Sequence, residues 1–316
     1  MYLCVILSVL CLVLESILSH IYVVASSYRA STAVIRMILD SFPDAAGFPT
    51  RTGSSALHLM CDYGVRPDAL HCVLQTSVGV ANVAQEDLIY RRKPLHVLNG
   101  RKNMGNCQWT RDSMRGLRQR IRALEIAGAH RNANDIYRLR QTLMDFENDD
   151  TWRKASMLMV AEATGQALSE GDVVPMQALR AAIEIEDCPA SFQEWAILLY
   201  SDKLMVPGAD GCVPLHIAAR RGSTGLLLDL LEACPSAAAV RDSSGFLPLQ
   251  TFLQRPQARV WREGTGALLE AYPPALEELH LSDAVYPFVW SKLSSRESLF
   301  QAIRSCPRHF AETNER

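Results

Sequence analysis

The stretch from Gly211 to Gly245 most constrains the fold, because it has room only for two short helices and a loop. Pro214 suits the first position of a helix, and Gly222 suits the positive φ that ends one. The next helix can be capped by Ser223, and it carries one broad apolar face formed by Leu226, Leu227, Leu230 and Leu231. Helices of this length are marginal alone in water, so a second copy of the unit must cover that face.

The chain contains further copies of this unit. The Pro-Leu-His sequence at Pro214 recurs in altered form as Ser55-Ala56-Leu57-His58, Lys93-Pro94-Leu95-His96 and Leu247-Pro248-Leu249-Gln250. We call the position equivalent to Pro214 in each copy the Pro slot. The four Pro slots lie three residues after Gly53, Arg91, Gly211 and Gly245. A second pattern, two apolar residues followed by a charged, a small and any residue before Pro, ends at Pro43, Pro235, Pro273 and Pro307. From Pro214 onward the two patterns advance together by 34 to 38 residues, which indicates a repeat architecture.

The first pattern resembles the Thr-Pro-Leu-His-x-Ala motif of the ankyrin repeat, in the form Val213-Pro214-Leu215-His216-Ile217-Ala218. The resemblance implies an all-α fold, an α-solenoid of ankyrin-like helix-turn-helix repeats, here with a central helical insertion. In that family the Thr hydroxyl and the His imidazole tie the loop to the first helix. The Thr slot of this chain holds Ser55, Lys93, Val213 and Leu247. The repeats are therefore degenerate, and Ser55 alone can make that bond.

The repeat signals divide the chain into four parts. Residues 26–99 and 176–316 carry the N-terminal and C-terminal ankyrin-like repeats, and residues 100–175 interrupt the period as a basic helical insertion. Within the insertion one helix has an apolar stripe formed by Met114, Leu117, Ile121 and Leu124. A later helix is expected to start at Thr151. The insertion is too regularly patterned to be a loose linker.

The fourth part is the apolar segment 1–25, for which three interpretations stay open. A secretory signal would need a positively charged beginning, which is missing, and a membrane anchor would be interrupted by Glu15 and His20. The third interpretation is a helix that caps the solenoid and covers the helix carrying Ile35, Ile38 and Leu39. We favour the cap and therefore a cytoplasmic protein, with a membrane-anchored protein as the alternative.

Basic residues concentrate in the insertion. Between Arg91 and Arg140 there are thirteen Lys and Arg against three Asp and Glu, although the whole chain has a formal charge of −2. One helix face carries the candidate anion-binding residues Arg111, Arg115, Arg118 and Arg122. Such a stripe can attract nucleic acid or an anionic membrane surface. The simpler interpretation is charge balance within the fold by Asp145, Glu147, Asp149 and Asp150. Nucleic acid is the less favoured partner, because the segment has few aromatic residues to stack on bases.

No catalytic or cofactor motif is evident in the sequence. Gly264-Thr265-Gly266 lacks the third glycine and the preceding strand of a phosphate-binding loop. The nine cysteines are scattered without a Cys-x-x-Cys pair, and we expect neither a metal site nor a cofactor. The recurring histidines occupy one slot of separate repeats, which indicates a structural role for His58, His96 and His216.

These observations favour a non-catalytic scaffold for protein-protein interaction. The ankyrin resemblance implies that loops and first helices contact a protein partner, which the sequence does not identify. The alternative is binding of an anionic surface or nucleic acid through the basic insertion. An enzyme with its site at the acidic run 145–150 is the least favoured class.

Overall fold

The structure, a computed structural model, describes residues 31–50, 52–100, 111–126, 134–135, 137–139, 141, 148–169, 173–254, 264–272 and 274–275. Throughout these ranges the regular structure is helical and no β-strand is present. The predicted all-α class is therefore confirmed. The apolar segment 1–25 and the last repeat-like stretch, ending at Pro307, lie outside the described residues.

The chain divides into two compact units, Met1–Trp195 and Ala196–Arg316. The first unit contains helices α1 (Thr32–Ser41), α2 (Ala56–Tyr63), α3 (Pro67–Leu74), α4 (Ser77–Ala81), α5 (Pro94–Gly100), α6 (Arg111–Ile126), α7 (Asp150–Thr164) and α8 (Pro175–Glu184). Helix α9 (Ala190–Leu199) contains the boundary. The second unit contains α10 (Pro214–Arg221), α11 (Thr224–Ala233), α12 (Pro248–Leu253) and α13 (Gly266–Ala271). Short 3-10 helices occur at Pro43–Gly47, Ser201–Lys203 and Pro235–Ala239.

Proline and glycine mark the helix ends as the sequence predicts. Proline lies in the first turn of α3, α8, α10 and α12. Helices α2, α7 and α10 end at a glycine in the left-handed conformation: Gly64, Gly165 and Gly222. Ser223 lies at the N-cap position of α11, but its hydroxyl makes no capping hydrogen bond. Helix α7 begins at Asp150, one residue before the predicted start.

In the first unit the helices pack in pairs: α1 against α3, α2 against α5, α3 against α7, and α7 against α8. Trp152 and Trp195 lie with their ring centroids 5.3 Å apart, and Phe192 packs beside Trp195. Lys154 of α7 is buried and donates to the carbonyl of Val65 at 3.1 Å. Helix α7, which belongs to the predicted insertion, is thus part of the same packed unit as the helices before it.

In the second unit, α10 packs against α11 and α12, and α11 packs against α13. The predicted apolar face of α11 is buried at all four positions, Leu226, Leu227, Leu230 and Leu231. Burying one leucine side chain contributes about 1.5–3 kcal/mol. These short helices therefore obtain their stability from packing on one another, as expected for helices too short to form alone.

Candidate interaction surface

Four hairpin loops share one closing hydrogen bond and one positive-φ position, and one of the four is a residue longer than the others. We name them loop A (residues 50–54), loop B (87–92), loop C (208–212) and loop D (242–246). In each loop the amide of the first residue donates to the carbonyl of the last, across 2.9 Å in loops A, B and D and 3.0 Å in loop C. At the described positions of these turns the residues with a positive φ are Gly53 at 74°, Arg91 at 52°, Gly211 at 71° and Gly245 at 80°. These residues precede the Pro slots by three, so the sequence spacing locates all four turns.

Within each unit the two loops lie side by side. In the first unit the amide of Leu88 in loop B donates to the carbonyl of Thr52 in loop A at 3.1 Å. A Cβ atom on Gly53 would overlap the side chain of Leu88, so the two loops are in close contact. In the second unit the amide and the hydroxyl of Ser243 donate to the carbonyl of Asp210 at 3.3 and 2.7 Å.

Three histidines bind backbone carbonyls at the start of a later segment. Their Nε2 atoms lie within hydrogen-bond distance of a carbonyl oxygen: His58 with Arg92 at 2.8 Å, His96 with Asp187 at 2.9 Å, and His216 with Phe246 at 3.0 Å. Because a carbonyl oxygen only accepts, Nε2 donates in each case. Each accepting residue lies two positions before a proline: Pro94, Pro189 and Pro248. Each imidazole therefore joins its own helix to the start of another segment, which is the structural role that the sequence predicts for these histidines.

The second ring nitrogen distinguishes the three histidines. The hydroxyl oxygen of Ser55 lies 2.8 Å from Nδ1 of His58, which confirms the bond predicted for Ser55. The amide of Ser55 also donates to this Nδ1 at 3.1 Å. Among the described residues, Nδ1 of His96 and Nδ1 of His216 are buried without a hydrogen-bond partner. Desolvation of the charged ring by burial lowers the pKa of His58 and of His216.

Lys93, which precedes its Pro slot as Ser55 precedes its own, holds the end of loop B through two ion pairs. Its Nζ atom lies 2.7 Å from Oε1 of Glu162 and 2.9 Å from Oδ1 of Asp187. Burial acts to lower the pKa of Lys93, but the two carboxylates outweigh burial and raise that pKa. Burial acts to raise the pKa of Asp187, and Lys93 outweighs it and lowers that pKa. The three groups form an ion cluster directly after loop B.

The tip of loop B presents three consecutive large apolar side chains to solvent. Leu88 is 70% exposed, Ile89 58% and Tyr90 67%. Single exposed apolar residues are ordinary, but a contiguous group is typical of an interaction site. The repeat patterns of the sequence do not predict this tip. Its signal is a run of three large apolar residues in a loop, directly before a Pro slot.

A buried carboxylate holds the tip of loop B in shape. Asp87 is 3% exposed. Its carboxylate accepts a hydrogen bond from the amide of Tyr90 and forms an ion pair with Nε of Arg92 at 3.5 Å. Burial acts to raise the pKa of Asp87, but the Tyr90 amide and the Arg92 guanidinium outweigh it and lower that pKa. The guanidinium carbon of Arg92 also lies 4.5 Å from the ring centroid of Tyr90, a cation–π contact.

The predicted basic stripe lies on α6, and two of its four side chains are bound within the fold. Nη2 of Arg115 lies 3.4 Å from Oε1 of Glu194, and Nη1 of Arg118 lies 3.5 Å from Oε2. Arg118 is 6% exposed and Glu194 is 1% exposed, so this pair is buried. The side chains of Arg111 and Arg122 lie outside the described part of the structure.

Within the described ranges the stripe pairs with Glu194, a residue outside the acidic run 145–150. Glu194 follows Arg115 by 79 residues, and no local pattern connects the two. Asp149 of the acidic run instead caps helix α7, where its Oδ1 accepts the amide of Thr151 at 2.8 Å and that of Trp152 at 3.4 Å. Asp145 and Glu147 lie outside the described residues.

No protein-family model matches this chain, and no curated protein matches it either. In the described ranges no group of three or more His, Cys, Asp or Glu residues could hold a metal ion. No helix in those ranges is long and apolar enough to cross a membrane.

Proposed function

We propose that this protein is a non-catalytic protein-protein interaction scaffold, built as an α-solenoid of degenerate ankyrin-like repeats, with loop B as a main contact. The observation that carries the proposal is the exposed tip Leu88-Ile89-Tyr90 on a loop whose backbone is held by the buried Asp87 carboxylate.

Three features support the repeat architecture. In all four loops the positive-φ residue lies three positions before the Pro slot. Consecutive loops within a unit are hydrogen-bonded to each other. Each recurring histidine binds the carbonyl of a residue that lies two positions before a proline. Short helices that pack on their neighbours complete the pattern.

The tip of loop B is suited to binding for two reasons. Apolar burial drives most protein association, and fully burying one large apolar side chain contributes about 1.5–3 kcal/mol. The Asp87 carboxylate and the Arg92 guanidinium already order the backbone and the Tyr90 ring. Little conformational entropy is therefore lost when a partner binds.

The proposal is tested by comparing the proteins captured by the full chain and by a variant with Leu88, Ile89 and Tyr90 all replaced by Ser. The matched control replaces Met205 and Val206, which are adjacent, apolar and 41% and 42% exposed, by Ser. We expect one reproducible set of partners to bind the native chain and the control and to be lost from the loop B variant. Circular dichroism checks that all three proteins keep their helicity. A partner set that the loop B variant retains, or the absence of any set, contradicts the proposal.

The proposal includes a cytoplasmic location, with membrane anchoring through residues 1–25 as the alternative. The five cysteines that the structure describes are free thiols, and the chain has no Asn-x-Ser/Thr acceptor. Cell fractionation of the full chain and of residues 26–316 separates the two cases. A cap predicts a soluble full chain and an unstable truncated one. An anchor predicts a full chain in the membrane fraction and a truncated chain that is soluble and folded.

A further inference from the structure

Arg91 is the one non-glycine residue with a positive φ in the described part of the chain. Loops A, C and D place Gly53, Gly211 and Gly245 at the corresponding turn. A side chain in the left-handed region costs conformational free energy that glycine avoids. Loop B therefore carries a side chain at the position where its sister loops have none.

The contacts that the described residues make with the Arg91 side chain do not offset this cost. The Arg91 side chain is 79% exposed, and its Nη1 atom lies 3.8 Å from a carboxylate oxygen of Glu86, which is itself 45% exposed. Exposed ion pairs of this kind contribute little to stability, because water screens them and both side chains lose freedom. The Arg91 guanidinium instead lies in solvent, and Arg91 directly follows the apolar tip in the sequence.

We propose that loop B binds a peptide segment that carries a carboxylate next to large apolar side chains. This inference rests on the proposed scaffold function and names the chemistry of its partner. The apolar tip buries the apolar side chains, and Arg91 binds the carboxylate through the two parallel hydrogen bonds that a guanidinium can make. Arg92 is already engaged with Asp87 and with the Tyr90 ring, so Arg91 is the cation left for the ligand.

The charges of loop B favour a peptide over an anionic membrane. Membrane recognition by charge uses clusters of four or more basic residues. Here Arg91 and Arg92 stand beside Glu86 and Asp87, so the charges of the segment balance. Within loop B, one accessible guanidinium next to the apolar tip fits one carboxylate of a peptide.

The experiment uses the full chain and a displayed library of random peptides of about twelve residues, a length that covers a single loop tip. We expect enriched peptides to combine Asp or Glu with Leu, Ile, Phe or Trp. Binding of an enriched peptide is then measured by calorimetry against its twin with Asn and Gln in place of Asp and Glu. The twin is expected to bind about tenfold more weakly, since a charge-assisted bidentate contact is lost.

Variants at the turn separate binding from folding. Arg91→Gly and Arg91→Asn remove the guanidinium and suit a left-handed backbone, so both are expected to bind the peptide about tenfold more weakly while the melting temperature stays equal or rises. Glu86→Gln releases Arg91 from its internal partner and is expected to tighten binding about twofold. The matched control is Arg66→Gln, which removes another exposed arginine paired with an exposed carboxylate. The control should leave the affinity unchanged.

Three results would overturn the inference. The first is enrichment of apolar peptides without acidic residues, and the second is equal affinity of the native chain and Arg91→Gly for the enriched peptide. The third is the absence of any enriched peptide. If the first result comes together with binding to phosphatidylserine vesicles that Arg91→Gly abolishes, the ligand of loop B is an anionic membrane and not a peptide. The scaffold proposal survives the first and second results if the Ser variant of the tip still loses the captured proteins or the peptide.

Discussion

The histidine of the first unit, His58, and that of the second, His216, make the same bond through Nε2 and differ at Nδ1. His58 receives a hydrogen bond from Ser55, and His216 has Val213 in that position and no partner on Nδ1 in the described structure. The residue before the Pro slot therefore decides how completely the ring is satisfied. It does not decide whether the ring reaches the later carbonyl, which lies 2.8 Å away in one unit and 3.0 Å away in the other.

Lys93 shows a third use of the same slot. Its side chain leaves Nδ1 of His96 without a partner in the described part of the chain, yet it joins Glu162 of α7 to Asp187. The slot thus supports a loop by a hydrogen bond at Ser55 and by an ion cluster at Lys93. At Val213 it contributes apolar packing alone.

The largest difference between the two units is expected for His58→Ala. The change should lower the free energy of unfolding by about 3 kcal/mol, because it removes a buried ring together with its hydrogen bond to the Arg92 carbonyl, and it takes away the partner of the Ser55 hydroxyl. His216→Ala should cost about 2 kcal/mol, since fewer hydrogen bonds are lost. Amide hydrogen exchange of α2 and of α10 at increasing urea concentrations reports each unit separately. Equal losses would mean that the Ser55 bond contributes nothing.

Lys93→Met tests the ion cluster after loop B. It should lower the free energy of unfolding by about 2 kcal/mol, because the side chain of Glu162, which is only 9% exposed, is left without its partner. The raised pKa of Lys93 means that its contribution is complete below its ordinary pKa of 10.5 and is lost only as the pH rises through the folded value. The loss measured by urea unfolding should therefore be equal at neutral and at mildly alkaline pH. Lys203→Met removes an exposed pair with Asp202 and should cost less than about 0.5 kcal/mol.

Acid should weaken both units through the histidines. Burial lowers the folded-state pKa of His58 and of His216 below the ordinary value of 6.5, so their contribution is complete above that pH and is lost as the pH falls below it. Each can account for at most about 1.4 kcal/mol per pH unit.

The control for this acid effect is His58→Gln, because Gln250 occupies the same slot in the chain and accepts the amide of Leu247 at 2.7 Å. Hydrogen exchange of α2 should become less sensitive to acid in this variant, while that of α10 should keep its sensitivity. Unchanged acid sensitivity of α2 in His58→Gln would assign the effect to other groups.

The smallest expected effect is a gain of stability from Val213→Thr. Its hydroxyl can donate to Nδ1 of His216 as Ser55 donates to His58, which should raise the free energy of unfolding by about 1 kcal/mol. Val83 is as deeply buried as Val213, and Val83→Thr should cost about 1 kcal/mol because it replaces a buried methyl group by a hydroxyl. Urea unfolding followed by circular dichroism measures both. A loss of stability in Val213→Thr would mean that the ring geometry, and not the slot residue, sets the difference between the units.

Local chemistry allowed much of this fold to be predicted. The starts of α10 and α12 at proline, the end of α10 at Gly222 and the positions of the four turns all follow from backbone sterics within a few residues. The bond between Ser55 and His58 is also local, since the two residues lie one helical turn apart. The apolar face of α11 followed from the helical period alone.

The sequence by itself therefore determined the all-helical class, the helix ends and the turns, because these depend on neighbours along the chain. Tertiary structure decided which side chains meet across long separations: Arg115 and Arg118 with Glu194, and Lys93 with Glu162 and Asp187. It also decided that Leu88, Ile89 and Tyr90 face solvent while Asp87 is buried beneath them. Burial and ion pairing depend on how helices pack, and packing brings together residues that no local spacing relates.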